Sequence, residues 1–248
     1  MFKFCRAIGH LTILLSCVYS FSCLAVDVVK DRKTSMVIYH DKAVPSSVLL
    51  AAKELKNYIN KVSNADIRVV SDIPAGNYIS LGYNKLVRKA GMRLDKVEPD
   101  GYTIAVKGGN IYIFGYDTKD GTVSTKCGFS KGTLFGVYTF IEKYLGVRWF
   151  MPGKDGEYYV SKSDIAVNDS MQTDNPSFRW RYMPYLTKNT KLHGEMIDQW
   201  LLRQKINKQA YRKSLIHYHV WQRIFTGEVY KKHPDYFSML NGKRMMPV

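Results

Sequence analysis

Three side chains that could bind a sugar or a metal ion alternate along one short segment: His217, His219 and Trp221. Residues two apart on a β-strand lie on the same side, so a strand here would direct all three to one face. They could form a sugar platform, in which Trp221 stacks on a pyranose ring and a histidine hydrogen-bonds to hydroxyl groups. The histidines could also bind a metal ion, with His193 or His233 as a third ligand. The pattern favours a third alternative, in which hydrogen-bonded imidazoles pack inside a barrel.

Acidic residues are few after residue 176. Glycoside hydrolysis usually needs two carboxyl groups across the sugar, about 5 to 9.5 Å apart. The spacing of Glu195 and Asp198 is typical of hydrated acids in the first turn of a helix. Glu228 follows the segment that ends at Trp221, where barrel active sites occur, and it is a candidate substrate contact, although most loop acids are simply hydrated. No catalytic residue is predicted.

Two arginines and two aromatic residues offer further contacts. Arg179 and Arg181 share a strand face and could hold the carboxylate of an acidic sugar in a bidentate clamp. Arg181 could equally be a structural ion-pair partner, and Arg179 a hydrated edge residue. Trp149 and Phe150 could stack on sugars, but they directly follow an amphipathic helix, which favours packing in the core or at a domain interface. Apart from the histidine alternative, the sequence predicts no metal and no cofactor.

The elements that must position these side chains begin with alternating strands and helices. Apolar residues recur at steps of three and four from Val48 to Val62, which predicts a helix that starts at Pro45 and ends at Asn64. Two β-rich runs on either side of 108–110 predict an antiparallel hairpin. The predicted strands are 36–39, 67–70, 78–81, 102–106 and 111–114.

A second long helix is predicted from Leu134 to Leu145, where apolar residues form one stripe. Gly132 and Gly136 would let this helix approach a sheet closely. Gly146 fits a C-terminal cap, and a short strand follows it. The order of elements predicts an α+β fold, a two-layer sandwich of a mixed or antiparallel sheet with helices on one face.

Residues 154–176 are polar and contain glycine, which predicts a linker between an α+β domain, 26–153, and a second segment, 177–248. A strand, a helix and another strand are predicted after the linker, over 179–183, 195–205 and 214–221. A parallel barrel begins in this order, but a complete one takes about 250 residues. The second segment is therefore predicted to be the truncated start of a β/α-barrel-like domain.

Residues 1–25 fit a secretion signal. After a basic start, an apolar run extends from Leu11 to Leu24, which is shorter than the roughly 20 residues of a membrane-spanning helix. Cleavage is expected after Ala25, and the exported protein is expected to be periplasmic or extracellular, with no stable membrane span. Attachment to the envelope through a lipid on Cys23 is an alternative.

The chain carries 37 Lys and Arg residues against 21 Asp and Glu, a formal net charge of +16. For an exported protein this balance favours an acidic glycan or the cell envelope as partner, and a merely basic hydrated surface is an equal alternative. Nucleic acid is not predicted as a partner, because the basic residues are scattered and no nucleic-acid-binding signature accompanies them. Only Cys127 would remain after signal cleavage, so no internal disulfide is expected. The sequence does not predict an oligomeric state.

Four stretches, in this order and spacing, resemble a known family: AAKELKNYINKVSNADIRVV, ISLGYN, DGYTIAVKGGNIYIFGYD and KGTLFGVYTFIEKYLGVRWFMPG. They resemble the N-terminal domain of bacterial alpha-glucuronidases, which is similar to the non-catalytic second domain of beta-hexosaminidases. HYHVWQRIF and HPDYFSMLNGKR resemble the start of an uncharacterised barrel-like domain that often follows it in exported proteins of polysaccharide-degrading bacteria. The resemblance covers the chain from about residue 36 onward.

In that family the N-terminal domain packs beside a barrel and does no chemistry, and the catalytic carboxylates lie on later barrel strands. The resemblance implies an exported carbohydrate-active protein, the N-terminal domain and partial barrel of a glycoside hydrolase that acts on plant or acidic polysaccharides. This chain is expected to lack the catalytic carboxylates. Two alternatives stay open, a non-catalytic glycan- or envelope-binding protein and a metal-dependent hydrolase that uses His217 and His219. The candidate substrate contacts are Arg181, His217, His219, Trp221 and Glu228.

Overall fold

The computed structural model describes residues 25–120, 129–168, 170–178, 181, 183, 191–207 and 224–246. Its helices are α1 (Ser46–Ser63), α2 (Lys85–Lys89), α3 (Gly132–Phe140), α4 (Lys191–Arg203) and α5 (Gly227–Lys232). A π-helical segment, Ile141–Leu145, extends α3, and two 3-10 turns lie at Lys154–Gly156 and Pro234–Tyr236. Its strands are β1 (Val26–Val29), β2 (Val37–Tyr39), β3 (Arg68–Val70), β4 (Tyr78–Leu81), β5 (Tyr102–Lys107), β6 (Asn110–Gly115), β7 (Arg148–Trp149), β8 (Glu157–Tyr158), β9 (Ile165–Val167), β10 (Met171–Asp174), β11 (Met239–Leu240) and β12 (Lys243–Arg244).

Six of the described strands form one mixed sheet in the order β10-β5-β6-β4-β2-β3. The strands β3, β2, β4 and β6 run parallel, whereas β5 and β10 are antiparallel to their neighbours. The predicted hairpin is confirmed, because Tyr102 pairs with Gly115, and Gly108 and Gly109 turn the chain with φ values of 58° and 73°. The helices α1 and α3, the latter with its π-helical extension, pack on one face of this sheet. The predicted α+β class is therefore confirmed.

The helix α1 follows the predicted apolar stripe. Leu55 and Ile59 are fully buried in the core that α1 shares with the sheet. Asn64 ends the helix in a left-handed conformation, with a φ of 61°, and its N–H donates to the carbonyl of Asn60. At the other end the carboxylate of Asp120 accepts from the N–H and the hydroxyl of Ser46, both at 2.8 Å. Both ends of α1 are thus capped, the second by a residue from outside the helix.

Gly136 permits the close contact between α3 and the sheet. A Cβ atom at this position would lie 2.8 Å from Cγ2 of Ile113 and 3.1 Å from Cβ of Tyr102. A larger residue would therefore have to push the helix away from the sheet. The helical segment ends at Gly146, as predicted, and the φ of 80° at this position favours glycine.

The opposite face of the sheet carries a smaller core, which α2 covers. Tyr39, Tyr112 and Phe114 pack there against residues of α2 and the loop that follows it. The side chain of Asn84 caps α2 by accepting from the N–H groups of Leu86 and Val87. The helices predicted for this domain, α1 and α3, share one face of the sheet as predicted, whereas α2, which was not predicted, lies on the other face.

Residues 154–176, predicted to be a linker, instead contribute strands to the α+β fold. The strand β8 pairs with β7, β9 pairs with β1, and β10 forms an edge of the central sheet. All four residues of β10 are exposed. Because none of them has to be apolar, its sequence, MQTD, lacks the apolar alternation that predicts a strand. Side chains hold it in place: Tyr102 donates to the carboxylate of Asp174 at 2.7 Å.

The segment after residue 176 begins by packing on the α+β domain. The helix predicted over 195–205 is confirmed as α4, while the predicted strand over 214–221 lies outside the described residues. Arg181 forms one isolated bridge with Asn207. The start of a barrel stays a prediction. In the described ranges, no helix has the length and apolar character needed to cross a membrane.

Candidate functional site

The predicted substrate contacts divide into described and undescribed residues. His217, His219 and Trp221 lie outside the described residues, so the sugar platform and the metal site stay predictions. Arg181 and Glu228 are described and lie in different surroundings.

Arg181 is held by protein acceptors on all sides of its guanidinium group. Its Nη2 donates to a carboxylate oxygen of Asp100 at 2.8 Å. Its Nε and Nη1 donate to the main-chain carbonyls of Lys205 and Phe178, at 2.8 and 2.7 Å. The buried carboxylate of Asp100 also accepts from the side-chain amide of Asn207. This geometry favours the ion-pair alternative over the sugar clamp, because the donors of Arg181 already face protein acceptors.

A second carboxyl group, Asp117, lies near Asp100 at the N-terminus of α3. It accepts from the N–H of Thr133 at 3.0 Å and from the hydroxyl of the same residue. Burial raises the pKa of Asp117 to about 7; the hydrogen bonds from Thr133 oppose this increase, and the charge of Asp100 adds to it. Asp117 is therefore a helix cap whose charge depends on pH near neutrality.

Glu228 lies exposed in the first turn of α5. The hydroxyl of Thr226 caps this helix by accepting from the N–H of Val229 at 3.4 Å. A carboxylate in the first turn interacts favourably with the positive end of the helix. This position favours the hydrated alternative for Glu228.

A cleft of about 350 Å³ lies between α1, α4 and the loop 153–157. The helix α1 supplies Glu54, Tyr58 and Lys61, which share one face because they are four and three residues apart. Two carboxylates, two positively charged side chains and several aromatic rings lie close together here. We name this place the α1–α4 junction and define it by Glu54, Tyr58, Lys61, Trp149, Glu157, Trp200 and Arg203.

Arg203 connects the two acids of the junction. Its Nε and Nη2 donate to one carboxylate oxygen of Glu54, at 3.2 and 3.1 Å. Its Nη1 lies 3.9 Å from a carboxylate oxygen of Glu157. The guanidinium carbon is 5.4 Å from the ring centres of both Tyr58 and Trp149. A mostly buried cation between two acids and two aromatic rings is held by both ion pairing and cation–π attraction.

Trp149 is the hub of the junction. Its indole N–H donates to the hydroxyl oxygen of Tyr58 at 2.8 Å, and that hydroxyl donates to Glu157 at 2.7 Å. Burial is the main cause that raises the pKa of Tyr58 above its ordinary value, so the hydroxyl stays protonated and remains a donor. The ring of Trp149 also packs edge-on against Tyr58 and Tyr138, with centres 5.4 and 5.6 Å apart.

The helix α4 is anchored to the main chain of β7. The indole N–H of Trp200 and the side-chain amide of Gln204 both donate to the carbonyl oxygen of Trp149, at 2.9 and 2.7 Å. Trp200 and Leu202 pack against the main core. Just beyond the helix, Lys205 pairs with Glu142 at 2.8 Å. The helix α4 is thus fixed to the α+β domain by polar and apolar contacts together.

Two carboxylates in a cleft are the groups that glycoside hydrolysis requires. In the junction, however, Glu54 accepts from Arg203, and Glu157 accepts from Lys61 and Tyr58. The negative charges of the two glutamates are balanced by the positive charges of Lys61 and Arg203. The ion pairs therefore hold structural elements together, and neither carboxylate is free to act as a general acid or base. Within the described ranges, no group of three or more His, Cys, Asp and Glu side chains is placed to hold a metal ion.

Most of this junction was not predicted from the sequence. Glu54 and Arg203 are 149 residues apart, and no local pattern connects them. One feature of the sequence could have indicated the junction: Glu54 and Lys61 lie on the polar face of α1, beside its apolar stripe. The predicted packing role of Trp149 is confirmed, since 4% of it is exposed, whereas Phe150, which is 71% exposed, does not pack in the core, and its packing at a domain interface stays a prediction.

Comparison of the sequence with models of protein families finds no match, and comparison with curated proteins finds none. Among solved structures, the chain is similar to a family GH115 4-O-methyl-alpha-glucuronidase with specificity for decorated arabinogalactans, at 18% identity and a TM-score of 0.48 over 70% of this chain and 24% of the enzyme. A GH20 beta-N-acetylhexosaminidase from Streptomyces coelicolor A3(2) is 13% identical, with a TM-score of 0.39 over 63% of this chain and 24% of the enzyme.

A mutant beta-hexosaminidase from Streptomyces plicatus, in complex with its product, is 12% identical, with a TM-score of 0.39 over 63% of this chain and 24% of the enzyme. The chain thus spans about a quarter of the length of each of these enzymes. They belong to the two enzyme groups that the four sequence motifs resemble.

Proposed function

We propose that this chain is the N-terminal part of an exported carbohydrate-active protein, in which the α+β domain does no chemistry and fixes the position of the segment that follows it. The observation that carries the proposal is the α1–α4 junction. Through it, α4 is tied to α1 by the Arg203–Glu54 pair and to β7 by the Trp200–Trp149 hydrogen bond. The four sequence motifs support the carbohydrate role.

The electrostatics of the junction support a structural role for its acids. A general acid or base must have a lone pair or a proton that faces the substrate. Glu54 and Glu157 instead face the donors of Arg203, Lys61 and Tyr58. To act as a general acid or base, Glu54 or Glu157 would first have to break its ion pair.

The experiment measures hydrolysis and binding by the purified full chain, with aryl glucuronides, uronic-acid-bearing oligosaccharides and aryl N-acetylhexosaminides as substrates. We expect glycan binding, and we expect that any hydrolysis persists in folded Glu54→Gln and Glu157→Gln variants. Loss of hydrolysis in either folded variant would assign chemistry to the junction and overturn the structural role. Absence of both hydrolysis and binding across these sugars would overturn the carbohydrate role.

Export is part of the same proposal and rests on residues 1–25. The basic start and the apolar run from Leu11 to Leu24 have the order of a secretion signal. Expression of the full chain with its native start should yield an envelope or medium fraction whose mature N-terminus is Val26, as determined by mass spectrometry. Retention of the intact N-terminus in the cytoplasm would contradict export.

A further inference from the structure

The β7–β8 hairpin has two chemically different faces. Arg148 pairs with Tyr158, and Trp149 pairs with Glu157. Directly paired residues lie on the same face of a hairpin, and successive residues alternate. Trp149 and Glu157 therefore face the α1–α4 junction, while Arg148 and Tyr158 share the outer face with Phe150.

The outer face presents aromatic surface to solvent. Phe150 is 71% exposed and Tyr158 is 53% exposed, and their ring centres are 6.5 Å apart at an angle of 46°. Met151 and Val160, which lie one residue after Phe150 and two residues after Tyr158, are also exposed. Single exposed apolar side chains are ordinary, whereas neighbouring ones such as Phe150 and Tyr158 point to a binding surface.

Arg148 gives this surface a positive charge. Its Nη1 donates to the main-chain carbonyls of Glu142 and Val147, at 2.7 and 2.8 Å, which fixes the orientation of the guanidinium group, and its cross-strand partner on this face is Tyr158. In the described part of the chain, no carboxylate lies within ion-pair distance of Arg148. The charge is therefore available to an anion from outside, and a guanidinium group suits a carboxylate because it can donate two parallel hydrogen bonds.

We infer that the outer face of the β7–β8 hairpin, defined by Arg148, Phe150 and Tyr158, is a binding surface for a glycan that carries uronic acids. The two rings stack on the apolar faces of successive pyranose units, and Arg148 pairs with a sugar carboxylate. The hairpin lies beside α4, since a Cβ atom at Gly153 would be 3.7 Å from the sulfur of Met196. The bound glycan would thus lie next to the segment that the junction positions. This inference rests on the carbohydrate role proposed above.

The test measures affinity of the full chain for glucuronoxylan and for the same polymer after chemical reduction of its uronic acids to neutral sugars. The Phe150→Ser/Tyr158→Ser double variant should bind both polymers about tenfold more weakly. The Arg148→Gln variant should lose the preference for the acidic polymer and keep its affinity for the neutral one. Two matched controls, Phe178→Ser and Arg68→Gln, change exposed residues of the same types elsewhere and should bind like the wild type.

Three outcomes would overturn the inference. The first is a wild-type chain that binds neither polymer, and the second is a double variant that binds as tightly as the controls. The third is a double variant whose only change is its oligomeric state in sedimentation, which would assign the face to protein association. Failure of the proposed function is distinguishable, because it would abolish binding of the wild-type chain to all the sugars tested, whereas failure of this inference alone leaves the wild type and the double variant binding equally well.

Discussion

The indole N–H of Trp200 donates to the main-chain carbonyl of Trp149 across 2.9 Å, and this bond joins α4 to the hub of the α1–α4 junction. Trp149 uses its own indole N–H in the opposite direction, toward Tyr58 in α1. One residue of a two-residue strand therefore connects two helices that are far apart in the sequence. The consequence is that substitutions in this small area should affect the position of α4 more than the integrity of the sheet.

The Arg203–Glu54 pair should be strongly coupled. Replacement of Arg203 by Met should lower the free energy of unfolding by about 3 kcal/mol, because it leaves buried carboxylates without their cation. The Glu54→Gln change in the Arg203→Met background should cost much less than in the wild type. Urea denaturation of the four proteins of this double-mutant cycle measures the coupling.

The matched control for this cycle is the exposed pair of Lys56 with Asp66, which also involves α1. Its Lys56→Met variant should change stability by less than about 1 kcal/mol, because solvent screens exposed pairs. Additive effects of Arg203→Met and Glu54→Gln would show that the pair is not coupled.

Substitutions of the adjacent residues Trp149 and Phe150 should differ in their effect on stability. The Trp149→Phe variant keeps an aromatic ring and loses the N–H that donates to Tyr58, which should cost about 1 to 3 kcal/mol of stability. The Phe150→Ser variant should stay within about 0.5 kcal/mol of the wild type, because the side chain is exposed. Thermal unfolding followed by circular dichroism compares them, and an equal loss in both would contradict the two-faced hairpin.

Any side chain added at Gly136 should destabilise the fold. The Gly136→Ala variant places a methyl group 2.8 Å from Ile113, so α3 must shift, at a cost of about 1 to 3 kcal/mol. Gly76 is the control, because a Cβ atom there meets nothing within 4 Å. Its Gly76→Ala variant should be neutral or slightly stabilising. The same denaturation measurement checks both, and an unchanged Gly136→Ala protein would contradict the close approach of α3.

The sequence predicts those parts of the fold whose signals are local. The left-handed residues Asn64 and Gly146 end helices where the apolar stripes end, and Gly108 and Gly109 mark the turn of the hairpin. The edge strand β10 was not predicted, because it buries no side chain and depends on partners such as Tyr102 that are distant in the sequence.

The candidate site was less predictable than the fold. Arg203 and Glu54 have no local signature, since a buried ion pair depends on how two helices pack and not on spacing within either helix. The alternation of Trp149 and Phe150 across a hairpin also required the partner strand β8, because only the pairing with Glu157 and Tyr158 defines the inner and outer faces.

Asp117 should make stability depend on pH. Its pKa of about 7 in the folded protein exceeds its ordinary value, so the folded state holds a proton that the unfolded state releases between about pH 4 and pH 7. This contribution is complete below that window and is lost as the pH rises through it. The Asp117→Asn variant, which cannot ionise, should therefore gain thermal stability over the wild type as the pH rises, although the solvent that reaches part of the residue reduces the effect.

Melting temperatures at about pH 4 and about pH 8 measure this difference, with the exposed Asp72→Asn variant as control. The control should follow the wild type at both pH values. An advantage of Asp117→Asn that does not grow with pH would contradict the shifted pKa.

We propose that the α1–α4 junction fixes the segment that follows the α+β domain. Hydrogen exchange of the amides of α4, Lys191–Arg203, in the Arg203→Met variant tests this role. We expect exchange in α4 to accelerate at least about tenfold more than exchange in β5 and β6, whose protection falls only with the global stability. Unchanged protection of α4, or an equal loss of protection in α4 and the sheet, would contradict the claim.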